Sequence, residues 1–236
     1  MRGLLPFLVL AMLFSKPFTA TGQTAIDVDA FQQELNTIPY PERVDSLVAK
    51  VSKKARTFSA EEKSSMVSMA IEDLEQLDKH PRHLATLYVT QIILFTQTGK
   101  RQLCAPWLVK TQKLIDQFGE DTKEWNFIRG RVHHLMSFNY YFENKSQKAI
   151  DEAEVALSYF RLCQDTLKMA DLHSAIGVYS SEAGDSEKAI EYYDGAIALL
   201  EHTDHEFYLI GAKFYKSVDL ILLLSLIHIS EPTRPY

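Results

Sequence analysis

The chain has 236 residues, 25 Lys+Arg against 31 Asp+Glu for a formal net charge of −6, and 46% hydrophobic residues. That mix is too apolar for a disordered segment, and its acidic balance argues against general nucleic-acid binding, which needs clustered positive charge. Nine glycines and eight prolines favour long unbroken elements, and two cysteines are too few for a disulfide scaffold or a four-cysteine zinc site.

In chain order, the N-terminus reads as a secretory signal. Arg2 supplies a positive n-region, Leu4 to Phe14 a mostly apolar run, and Ala20-Thr21-Gly22 a small-x-small cleavage site. About eleven apolar residues are too few to cross a bilayer core of about 30 Å. Residues 1–22 are therefore expected to be removed on export, leaving a periplasmic or otherwise extracytoplasmic protein.

From residue 23 onward the periodicity is helical, and no segment alternates at period two long enough to argue for a strand. Residues 23–80 form an N-terminal helical segment, beginning with a short helix over 29–36. Pro41 fits the first turn of a helix over 42–56, with Val44, Leu47, Val48 and Val51 on one face. Ser59-Ala-Glu-Glu62 is a capping box opening a helix to residue 77, in which Met66, Met69, Ala70 and Leu74 are spaced for burial. His80 and His83 flank Pro81 and read as surface residues. Three helix pairs follow: 82–97 with 101–118, 124–142 with 146–162, and 169–183 with 186–201. The links at Thr98-Gly99, Glu143-Asn144 and Gly184-Asp185 are short, which forces antiparallel hairpins.

The last pair carries the clearest repeat signature: His173-x-x-Ile176-Gly177, then Gly184-Asp185, then Ala189-x-x-x-Tyr193-x-x-Ala196. It resembles a tetratricopeptide repeat (TPR), with His173 standing where Trp is usual and Ser180 where Tyr is usual. The preceding pair matches through His133, Met136, Ser137, Tyr140, Ala149 and Ala156, with Ala153 in place of the second-helix aromatic. An earlier pair offers Tyr88, Phe95, Gly99, Cys104 and Leu108. Small residues recur at Cys104, Ala149 and Ala189, spaced more widely than the roughly 34 residues of the standard unit. Phe207, Ile210, Gly211 and Phe214 look like the first helix of a further repeat. The resemblance implies an all-α, right-handed solenoid of antiparallel helix hairpins over 81–223, with the last repeat truncated.

Leu224 to Arg234 resembles the in-frame translation of a transposase adapter used in sequencing libraries. This implies that 224–236 is not natural sequence and that the natural protein continues beyond residue 223. Removing the 22 leading and 13 trailing residues from 236 leaves 201. Three basic residues and one acidic residue go with them, so the charge of −6 becomes −8.

Repeats of this kind display a concave surface lined by the first helix of each pair. By resemblance, the middle pair presents Arg131, His134, Phe138, Tyr141 and Phe142, and the last pair Asp171, Ser174, Val178, Ser181 and Glu182. Aromatic residues and Arg are enriched at binding hot spots, although packing against the neighbouring repeat is the competing role for the rings. His202-Thr-Asp204-His205-Glu206 groups metal-ligand types, but its spacing matches no zinc signature. Adjacent His133 and His134 point in different directions on a helix. Cys104 and Cys163 are expected to be buried small hydrophobes rather than a disulfide. Asn144-Lys-Ser146 is a formal glycosylation sequon. No phosphate-binding loop, dinucleotide fingerprint or nucleophile elbow is present in the sequence.

The expectation is a non-enzymatic, exported protein-interaction module that holds a peptide or partner protein. It calls for no catalytic residue, metal, cofactor or nucleic acid. One alternative is the extracytoplasmic sensory part of a membrane-anchored regulator, with a histidine-kinase or helix-turn-helix output, meeting the membrane only through a missing C-terminal segment. The other is an enzyme whose catalytic domain lies beyond residue 223.

Overall fold

A computed structural model describes residues 33–52, 58–77 and 79–230, without the side chains of Ser52 and 226–230. The expected signal over 1–22, the start of the 29–36 helix and the last six residues lie outside the described residues. The described chain is all-α, as the periodicity predicts, with no strand among the described residues. Its α-helices are α1 (Glu42–Ser52), α2 (Ala60–Leu77), α3 (Pro81–Gln97), α4 (Cys104–Phe118), α5 (Lys123–Phe142), α6 (Ser146–Cys163), α7 (Thr166–Glu182), α8 (Ser186–Leu200) and α9 (Glu206–Ser230). A 3-10 turn, Arg101–Leu103, leads into α4. No helix among the described residues is long and apolar enough to cross a membrane. The chain divides into two compact units whose boundary, between Leu135 and Met136, falls inside α5.

The first unit is built on the amphipathic faces of α1 to α4. Val44, Leu47 and Val51 of α1 pack with Met66, Val67, Ala70, Ile71 and Leu74 of α2 and with Leu87, Tyr88 and Leu94 of α3. The capping box forms as expected: the Glu62 amide donates to Ser59 Oγ at 3.1 Å, and Glu62 Oε2 accepts the Ser59 amide at 2.5 Å. Met69 departs from expectation and is 46% exposed. The stripe runs through 66, 67, 70, 71 and 74, and at about 100° per residue position 69 lies about 130° from its centre. His83 is also buried, not on the surface, 4.0 Å from Asp45 and hydrogen-bonded to Arg82 at 2.9 Å. At the α4–α5 link the Arg129 guanidinium donates to the carbonyls of Gly119 (2.7 Å) and Glu120 (3.1 Å) and to Asn126 Oδ1 (2.8 Å). These bonds satisfy carbonyls at the end of α4.

In the second unit each helix packs on its successor, α6 on α7, α7 on α8 and α8 on α9. The core joins Ala149, Ala153, Ala156 and Phe160 of α6 to Leu172, Ile176 and Tyr179 of α7, Ala189 and Tyr193 of α8 and Tyr215 of α9. The small residues serve close approach. A Cβ on Gly177 would stand 2.4 Å from a carbon of the Tyr193 ring, so only glycine leaves room for that ring. Tyr193 is in turn stacked on Tyr215, 5.8 Å between centroids and 14° between planes.

One C-terminal turn recurs through the chain. At Gly99, Asn144, Gln164 and Gly184 the backbone turns left-handed, with φ of 74°, 56°, 56° and 89°. In each, the following amide reaches back to the carbonyl five residues earlier: Lys100 to Phe95, Lys145 to Tyr140, Asp165 to Phe160 and Asp185 to Ser180, at 2.8–3.1 Å. This is the Schellman arrangement, which satisfies terminal carbonyls and reverses the chain within three residues. Asp165 and Asp185 then cap the next helices, accepting the amides of Lys168 and Lys188 at 2.9 and 3.0 Å. α9 continues to Ser230, so no helix end marks residue 223. A leucine-rich stretch favours helix whatever its origin.

Candidate interaction surface

In the second unit, the end of α5 (136–142) meets α7 through Tyr141 and Tyr179, and α7 meets α9 through Ser181 and Asp219. Seven of the eight expected partner-binding residues keep at least partial exposure; Val178 does not. Arg131 and His134 lie half-buried on the part of α5 that belongs to the first unit. Phe138, Tyr141 and Phe142 form an aromatic group at the end of α5. Phe138 and Phe142 lie edge to face at 4.6 Å, and Tyr141 and Phe142 at 5.3 Å. Tyr141 also lies against Tyr179 of α7 at 4.9 Å. Tyr141 therefore packs against the next pair, and all three rings stay half-exposed.

On α7, Ser174, Ser181 and Asp171 are half-buried and Glu182 is exposed. Val178 is 5% exposed and belongs to the core. Residues 176–180 are buried without a break, because α7 packs on α6, α8 and α9 and leaves no solvent-facing arc at that level. A partner contact at Val178 is corrected to a packing role.

The polar centre of this surface comes from residues the sequence reading left aside. Asp219 of α9 is only 2% exposed. It accepts the Ser181 hydroxyl at 2.7 Å, and its charge reaches the Tyr193 phenol. Tyr215, one turn earlier on α9, is buried with a hydroxyl that has no hydrogen-bond partner; Ser180 Oγ is in the same condition. The Tyr179 and Ser137 hydroxyls bond each other.

The electrostatics follow from burial beside acids. Burial, with Glu182 nearby, pushes the Tyr141 phenol up to about 12. Burial raises Tyr193 further, together with Asp219, and raises Tyr215 together with Tyr141. Burial and then Asp219 raise the Glu182 carboxyl. No ion pair to Asp219 forms among the described residues; the neighbouring Lys216 pairs with Asp194 of α8 instead, at 2.5 Å. Asp219 is the sole acid between Glu206 and Leu224, but Lys213, Lys216 and Ser217 share that stretch, so the sequence alone did not single it out.

The remaining candidates take plain positions. Cys104 and Cys163 are buried and not joined in a disulfide, as expected, and Cys104 packs with Thr96 of α3 at 3.7 Å. Burial raises the Cys104 thiol. His202, Asp204, His205 and Glu206 are exposed around the α8–α9 turn. No group of three or more His, Cys, Asp or Glu is placed to hold a metal among the described residues.

Among solved structures, the chain is similar to BtubC (BKLC) from P. vanneervenii, with a TM-score of 0.58 and 14% identity over 89% of this chain and 91% of that one. At that identity the likeness bears on fold alone: a helical, helical-repeat-like architecture. No protein-family model matches the chain, and no curated protein matches it.

Proposed function

We propose that this is an exported protein-interaction module of the TPR type, a solenoid of helix hairpins that holds a peptide or partner protein against the first helices of its pairs. The observation that carries the reading is the surface on α5, α7 and α9. Half-exposed Tyr141, grouped with Phe138 and Phe142, lies against Tyr179 and near Glu182 of α7, and Ser181 of the same helix bonds a buried Asp219. Rigid aromatics beside fixed polar groups are the usual make-up of an interaction hot spot. The recurrent Schellman turns and the close Gly177–Tyr193 contact support the TPR-like repeat. On this reading residues 1–22 are cleaved and the mature chain acts outside the cytoplasm.

A displayed random-peptide library selected against the full chain tests it. Selected peptides should lose binding to the Tyr141→Ala/Phe142→Ala double variant by tenfold or more, about 1.4 kcal/mol per decade. A Leu162→Ala variant, altered at an exposed residue of α6, should bind as the original chain does. Equal binding to a folded double variant would place the contact elsewhere.

A further inference from the structure

We infer that the exposed face of α9 is a homodimer seam, on which a second copy of this chain lays its own α9 antiparallel. The seam is separate from the surface described above, which α9 joins through its buried side.

α9 packs on α8 and α7 with Ala212, Tyr215 and Asp219 buried. A helix at a protein surface ordinarily turns polar residues to solvent. Here Ile210, Phe214 and Ile221 are 65%, 47% and 66% exposed, with exposed Ser217 among them. At about 100° per residue these four positions fall within about 60° of one another, on the side away from the buried three.

Two features of the stripe select its occupant. The first is its period. Steps of four, three and four residues give the spacing of a helix laid along another helix. A lipid surface imposes no such period. The chain's net charge of −6, with Lys216 tied to Asp194, also offers an anionic bilayer little attraction.

The second feature is self-complementarity. With two copies of α9 antiparallel, Ile210 of one meets Ile221 of the other, and Phe214 meets Ser217. A two-fold axis between Phe214 and Ser217 repeats both pairings, so one patch serves both copies. The Phe214 ring takes the space that serine leaves, large against small. Leu220, 39% exposed, flanks the seam. Together Ile210, Phe214, Leu220 and Ile221 expose about 400 Å² of apolar side chain per copy. Closing the seam with its polar rim then removes on the order of 1,000 Å² in total, the low end of a specific interface. The dimer is therefore weak and reversible, with a micromolar dissociation constant. The seam ends at Ile221 and does not depend on the tail from residue 224.

Sedimentation velocity of the full chain from about 1 to about 100 μM reads this equilibrium across the expected range. The sedimentation coefficient should rise to the dimer value and no further. Ile210→Lys and Ile221→Glu should each weaken dimerisation by about tenfold or more, since each sets a charge against isoleucine. An equal mixture of the two variants should dimerise again. The antiparallel register brings the two introduced charges together in one layer and leaves the isoleucine pair in the other. Leu222→Glu, at an exposed position of α9 off the seam, should change the dissociation constant less than about twofold. Unchanged circular dichroism of all three variants separates a broken seam from a lost fold. A chain monomeric at the top of the range overturns the seam, as do variants that dimerise like the original or a mixture that stays monomeric. An equal loss in Leu222→Glu, or association past the dimer, marks non-specific apolar sticking and overturns it too. A monomer that co-sediments with phosphatidylcholine vesicles gives the face to lipid instead.

Discussion

Gly177→Ala probes the contact on which the α7–α8 hairpin depends. The added Cβ would lie 2.4 Å from Tyr193 Cε1 and 2.8 Å from two further ring carbons. Ordinary carbon contact begins near 3.5 Å, so the ring must retreat by about 1 Å. Tyr193 has little room to do so: it is fully buried and stacked on Tyr215. Overpacking a filled site costs about 1–3 kcal/mol, and a disturbed aromatic pair adds about 0.5–1.5 kcal/mol. Replacing a mid-helix glycine with alanine returns about 1 kcal/mol of helix propensity. The balance is a loss of about 2 kcal/mol, near a 1 M fall in the urea midpoint for a slope of about 2 kcal/mol/M. Urea unfolding followed by far-UV circular dichroism reads this directly. A Tyr193→Leu change should recover part of the loss in the Gly177→Ala background, giving a coupling above about 0.5 kcal/mol. A midpoint that rises in Gly177→Ala, as propensity alone dictates, would refute the close packing.

Three further outcomes follow from the same geometry. Burial, then the positive charge of Arg161, holds the His173 imidazole below its usual value, and its Nδ1 has no partner. The unfolded chain then takes up this proton first, so stability is full above about pH 6.5 and is lost as pH falls through that value. Urea midpoints at pH 8 and pH 5.5 should differ less in His173→Gln; an undiminished difference excludes His173 as the source. Cys104 and Cys163 should resist a thiol reagent in the folded chain and react fully in denaturant, as read by mass spectrometry; rapid native labelling contradicts their burial. Ile210, Phe214 and Ile221 form an exposed apolar stripe on α9, Ile221 being 66% exposed. Ile221→Glu should raise the monomer fraction on size-exclusion chromatography; an unchanged profile shows that this stripe does not drive association.

Much of the helical framework was legible because burial repeats with the helix. Val44, Leu47, Val51, Met66 and Leu74 could be placed from spacing alone, and the Ser59–Glu62 box fixed the start of α2. Spacing was weaker at stripe edges. Met69 satisfies an i, i+3 pattern with Met66 yet falls outside the buried arc, and His83 is drawn inward beside Asp45 and Arg82. Val178 was assigned by analogy with a groove-facing position. Period alone does not reveal that α7 is covered by three neighbours at that level. The aromatic part of the surface was readable from composition. Its acidic centre was not, because the Ser181–Asp219 bond joins residues 38 apart and exists only when α7 meets α9.

The central claim is that one surface, made by the end of α5 with α7 and α9, holds a partner segment. Hydrogen–deuterium exchange of the full chain, with and without a library-selected peptide, tests it most directly. The account predicts slowed exchange concentrated at residues 136–142, 171–182 and 212–219, with α6 and the outer face of α8 unchanged. Protection confined to α6 and α8, or spread evenly over the chain, would contradict it.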